Sequence, residues 1–175
     1  MCKGSGRGRQ RGASQLELAV SIALFAIFLV VFLERASYYQ EYAEKTAMEM
    51  TVANMRTGLR YQIADLIINN RLSDIPTLAD ENPVNWLAGQ PENYLGEFDS
   101  PPRDGAVGKW FYDTRKRELV YTVNNRRHFV PYGGSDFTVR YQVARIQGPA
   151  STSARTSGVQ VWVELRQPRG YTWLL

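Results

Sequence analysis

Glu17 is the titratable residue whose position demands a partner. It stands immediately before Leu18-Ala-Val-Ser-Ile-Ala-Leu-Phe-Ala-Ile-Phe-Leu-Val-Val-Phe-Leu33, a run without charge, and behind it lie the basic Arg9-Gln10-Arg11 and then Gly12. An acidic side chain at the centre of a membrane span costs about 2.5–3.5 kcal/mol, and less near its end. A carboxylate held in such a place reads as functional by default.

The other reactive residue types do not assemble into chemistry. His128 is the only histidine and falls near a strand edge, where it reads as a plain polar residue rather than a base or ligand. Cys2 is the only cysteine, so the body has neither an intramolecular disulfide nor a cysteine metal site, and Cys2 precedes the apolar run instead of following it as a lipid attachment site would. There is no Gly-x-Ser-x-Gly and no glycine loop for phosphate. Asp99, Asp104 and nearby Glu97 offer oxygen ligands for calcium, but their proline-rich spacing lacks the alternation of a dedicated loop, and they read as a solvated acidic loop. These residues predict no catalytic centre, no metal, no cofactor and no enzymatic activity.

Charge placement speaks to topology. The chain of 175 residues has 21 basic and 17 acidic side chains, and Lys3, Arg7, Arg9 and Arg11 account for the whole excess. The remainder is neutral overall, which removes the case for nucleic acid; Arg115-Lys116-Arg117 and Arg126-Arg127 fall in hairpin turns, where exposed charge is ordinary. Positive charge beside an apolar span stays cytoplasmic. The N-terminus is therefore expected inside and the body outside.

The elements that position these residues follow from periodicity. Residues 18 to 33 span roughly 24 Å as a helix, somewhat short of a bilayer core of about 30 Å, and helical residues on either side make up the difference. From Ala36 to Asn70 there is no proline and one glycine, Gly58, and Val52, Met55, Leu59, Ile63 and Leu66 recur at three- and four-residue steps. A helix of more than fifty residues is predicted, stopping at Asn69-Asn70-Arg71. Tyr38, Tyr39 and Tyr42 fit the role of interfacial anchors. Residues 72–108 read as a connecting region rich in proline and glycine, with a helical turn at Val84–Leu87 and packing through Trp86, Tyr94, Leu95 and Phe98. Beyond it, four strands are expected around residues 110–112, 119–123, 137–143 and 159–165, forming an antiparallel sheet covered by the amphipathic half of the helix. The fold class is α+β, with segments 1–12 (leader), 13–35 (apolar helix), 36–71 (amphipathic continuation), 72–108 (connection) and 109–175 (sheet).

A cleaved secretory signal would place Glu34 where a small residue is required. A plain signal anchor explains the basic flank and the apolar run but neither Gly12 nor Glu17. The arrangement resembles the type IV pilin and type II secretion pseudopilin family, whose precursors carry a short basic leader ending in glycine, then a hydrophobic helix with glutamate as its fifth mature residue. With Ala13 first, Glu17 is fifth. The resemblance implies cleavage between Gly12 and Ala13 by prepilin peptidase, N-methylation of Ala13, a single-pass bacterial inner-membrane protein with a periplasmic body, and partnership with other pilin-like subunits and the inner-membrane assembly platform. It also implies that Glu17 pairs with the Ala13 amine of a neighbouring subunit during filament assembly. A close ammonium offsets desolvation of the carboxylate and fixes register between apolar helices.

Departures from the family pattern are Ala13 in place of phenylalanine or methionine, Gln15 in place of an apolar residue, and Glu34 where many pilins have proline. There is also no cysteine pair near the C-terminus and no acidic C-terminal loop. They favour a minor or accessory subunit. A type II secretion pseudopilus is the expected setting, a minor type IV pilin the alternative, and a signal-anchored periplasmic binding domain the contrasting class.

Overall fold

The computed structural model of the chain describes residues 15–102, 105–134, 136–147 and 161–174. Its contacts divide into two compact units, Met1–Tyr39 and Gln40–Leu175. One α-helix, α1, covers Gln15–Ile68. Its end is the predicted one and has a clear chemical form. Asn70 adopts the left-handed conformation at φ 54, while Asn70 N–H bonds the Ile67 carbonyl (3.1 Å) and Arg71 N–H bonds the Leu66 carbonyl (2.8 Å). This is a Schellman cap, with asparagine at the position that glycine most often fills.

The first unit, within the described residues, is helix alone, and residues 15 to 35 are exposed throughout. The second unit holds the core. Met48, Val52, Met55, Leu59, Ile63 and Leu66 form the buried stripe of α1, joined by Ile75, Leu78, Val84 and Trp86 and by the sheet residues Trp110, Leu119, Tyr121, Val139, Tyr141, Val143, Val163 and Leu165. The predicted stripe of the helix is thus the cover of the sheet.

The strands are β1 (Tyr94–Phe98), β2 (Trp110–Asp113), β3 (Glu118–Thr122), β4 (Phe129–Pro131), β5 (Thr138–Gln147), β6 (Val161–Arg166) and β7 (Tyr171–Trp173). Five of them form one sheet in the order β1-β2-β3-β5-β6, and β4 pairs with β7 in a second. Two expectations are corrected. The large sheet is mixed, because β1 runs parallel to β2 while the β2–β3, β3–β5 and β5–β6 pairs are antiparallel. The connection 72–108 is also more ordered than expected, with 3-10 helices at Leu72–Asp80 and Pro83–Trp86 and β1 itself. The second of these helices contains most of the expected turn, and the Asn82 side chain caps it by accepting from Val84 N–H at 3.1 Å. β1 escapes a periodicity reading because Gly96, at φ 110, sits where the register with β2 shifts between Tyr94 and Glu97.

Gly58 lies in the interior of α1 for a steric reason. A Cβ there would stand 2.5 Å from the Trp86 carbonyl oxygen and 2.8 Å from Trp86 Cβ. The Pro83–Trp86 helix therefore rests directly on the α1 backbone.

Candidate functional site

Glu17 lies in the first turn of α1 on an exposed stretch, and its backbone carbonyl accepts the Ser21 hydroxyl at 2.8 Å. Around it the apolar side chains Leu16, Leu18 and Val20 are all exposed by more than half. An apolar surface of this extent fits an apolar surrounding rather than water. Among the described residues α1 is the one helix long and apolar enough to cross a membrane, and its apolar stretch is exposed throughout. Gly12 and Ala13, the expected cleavage pair and methylation site, lie outside the described residues. Tyr38, Tyr39 and Tyr42 are exposed side chains of α1, and the Tyr38 and Tyr39 rings meet edge to face at 6.1 Å.

A second polar site, unanticipated from sequence, is built at the start of the larger unit. Glu41 is 1% exposed. Its Oε1 accepts the His128 backbone N–H at 2.9 Å and the Trp173 indole N–H at 3.0 Å, and its Oε2 lies 2.7 Å from His128 Nδ1. Burial pushes the Glu41 carboxyl up, but the hydrogen bonds from the His128 side chain and backbone and from Trp173, with the His128 charge, outweigh it and hold the group below its usual range. One turn on, Glu44 accepts from the Tyr121 hydroxyl (3.0 Å), Asn124 N–H (2.7 Å), Asn125 N–H (2.9 Å) and the Asn125 side-chain amide (2.8 Å). Lys45 Nζ donates to the Trp173 carbonyl at 2.8 Å. Three polar side chains within five residues of one helix, Glu41, Glu44 and Lys45, thus gather the β3–β4 loop and β7.

This clasp gives His128 a structural role beside a buried carboxylate. A signal for Glu41 existed in the sequence. It is in phase with Met48, Val52 and Met55, so the buried stripe of α1 contains an acid that must be satisfied.

Several of the other charged candidates are held by the fold. Asp99 accepts the Thr114 hydroxyl and Glu97 accepts the Asn82 side-chain amide at 2.8 Å, while Asp104 lies outside the described residues. Among the described residues there is no group of three potential metal-ligating side chains. Arg117 and Arg145 both pair with Asp80, and Arg145 Nε also donates to the Pro76 carbonyl at 3.1 Å, fastening the Leu72–Asp80 helix to the sheet. Arg126 lies over the Phe137 ring at 4.8 Å. Comparison with known proteins finds no family model, no curated protein and no solved structure that matches this chain.

Proposed function

We propose that the chain is a noncatalytic pilin-like subunit, cleaved between Gly12 and Ala13 by a prepilin peptidase and assembled into a type II secretion pseudopilus. The observation that carries this reading is the order of the N-terminal residues: a basic leader, Gly12, then Glu17 five residues on at the mouth of an uncharged run. Its support from the fold is that this run belongs to the same helix whose later turns cover a sheet. In this reading the apolar part of α1 anchors the precursor in the inner membrane with the leader cytoplasmic and the body periplasmic. After cleavage the Glu17 carboxylate meets the Ala13 amine of the neighbouring subunit, where an opposite charge offsets desolvation and sets the axial register. In the same reading the body serves contacts with other subunits and the assembly platform.

Coexpression with a prepilin peptidase, followed by intact-mass measurement, tests the first step. A mature chain beginning at Ala13 is expected. An intact leader overturns the proposal and leaves a signal-anchored domain that does not assemble.

A further inference from the structure

The small sheet has two outer edges, and they differ. Tyr132 N–H bonds the Gly170 carbonyl at 3.1 Å and Leu174 N–H bonds the His128 carbonyl at 3.4 Å, while Phe129 pairs with Trp173 and Pro131 with Tyr171. In an antiparallel ladder the bonded and non-bonded pairs alternate, so the backbone groups of Phe129, Pro131, Tyr171 and Trp173 all point away from the partner strand. On the β4 side this edge has no donor left: Phe129 N–H is bonded to the Arg126 carbonyl at 3.3 Å, and Pro131 has no N–H. On the β7 side, among the described residues, the Tyr171 N–H and C=O and the Trp173 N–H have no backbone partner. The Trp173 carbonyl takes the Lys45 ammonium and keeps a second lone pair.

That β7 edge faces a cleft of about 580 Å³ lined by Lys45 and Glu49 of α1 and by Gln167 and residues 170–174. The volume lies within the range of ligand clefts, roughly 300–1,000 Å³. The chemistry along its two walls is matched in pitch. Lys45 and Glu49 are one turn apart, about 6 Å along the helix. Tyr171 and Trp173 are about 7 Å apart along the strand. Lys45 stands at the Trp173 end, and Glu49, one turn further along α1, lines the same cleft with Tyr171. The Trp173 side chain turns toward α1, where its indole N–H meets Glu41. Side chains of an added strand placed opposite Trp173 and Tyr171 share that face, because paired residues point the same way.

We propose that the cleft between α1 and β7 binds an extended peptide segment of a partner protein, in which an acidic residue is followed two positions later by a basic one. The segment adds antiparallel to β7, its acid opposite Trp173 beside Lys45 and its base opposite Tyr171 beside Glu49. Backbone hydrogen bonds to Tyr171 and Trp173 supply the binding, and the charge order selects direction, since the reverse order places each charge against its like. This site does not depend on leader cleavage or on Glu17.

The probe is the peptide acetyl-Thr-Glu-Val-Lys-Thr-amide, titrated calorimetrically into the full chain in detergent micelles. Saturable binding is expected. N-methylation at the lysine, whose N–H faces the Tyr171 carbonyl, weakens it by at least about tenfold, the loss of one backbone hydrogen bond. N-methylation at the valine, whose N–H faces away from β7, leaves it within about twofold of the parent. Exchanging the peptide's Glu and Lys weakens binding, and the chain variant Lys45→Glu with Glu49→Lys restores it for the exchanged peptide. Absence of saturable binding, equal effects of the two N-methylations, or indifference to charge order would overturn the proposal. The peptide-side comparisons decide even if the double variant does not fold.

Discussion

The Trp173 indole N–H donates to Glu41 Oε1 at 3.0 Å, joining residues 132 positions apart in the sequence. The same carboxylate holds the His128 backbone and ring, so one buried acid ties α1 to two separate stretches of the β region. A buried carboxylate is tolerated when its lone pairs are met by directed donors, and Glu41 has three.

Glu41→Ala is expected to lower the stability of the larger unit by about 3 kcal/mol, since it leaves the Trp173 and His128 donors unpaired and opens a void. Glu41→Gln keeps an acceptor and should cost less. The effect has a pH signature. The native Glu41 carboxyl is held below the range of an ordinary glutamate, so its contribution is fully present above that range and is lost as the pH falls through the lower native value. Urea unfolding at pH 7 and at about pH 3 checks this: the gap between the parent and Glu41→Gln should shrink at the acid end.

Gly58→Ala sets helix propensity against packing. Alanine gains about 1 kcal/mol in a helix interior. Its methyl would nonetheless stand 2.5 Å from the Trp86 carbonyl, and that is backbone, which cannot swing aside. A net loss of about 1–2 kcal/mol is expected, with a change in Trp86 fluorescence, because overpacking displaces the short helix that carries it. Unchanged stability and fluorescence would contradict the close approach.

Asn70 in the left-handed conformation predicts opposite signs for two small substitutions. Asn70→Gly should be neutral or stabilising by up to about 0.5 kcal/mol, while Asn70→Ala should destabilise by about 1 kcal/mol, because a Cβ is disfavoured at this φ and asparagine's local hydrogen bonding is lost. Thermal unfolding of the pair measures the difference.

If the carboxylate carries register as proposed, Glu17→Val and Glu17→Gln should both leave membrane insertion, which the apolar run drives, intact and impair entry into filaments. Fractionation and filament shearing after coexpression with the assembly machinery separate the two effects. Full assembly of Glu17→Val would remove the role proposed for this carboxylate.

What could be seen in advance depended on how many residues repeat a pattern. The stripe from Val52 to Leu66 is long enough for its period to show, and each of its apolar members lies in the core. Val139, Tyr141 and Val143 were equally legible, as were Val163 and Leu165. β4 and β7 have three residues each, too few to display alternation. Phe137 belongs to the same alternation as Val139, yet lies just outside β5 under the Arg126 guanidinium. The parallel pairing of β1 was hidden for another reason: it is a long-range choice, and Gly96 obscures the local signal. Glu41 was the most readable omission, an acid in phase with methionines and valines whose environment follows from phase alone.

The bond between Glu41 and Trp173 also orders events in time. Contacts that close a long stretch of chain form late and slow the search for the native state. The helix turn carrying Glu41 is synthesised early, but its indole and the carbonyl that receives Lys45 arrive only when Trp173 has been made. Until then the body has an open seam, so the clasp between α1 and β7 closes only after Trp173 has emerged.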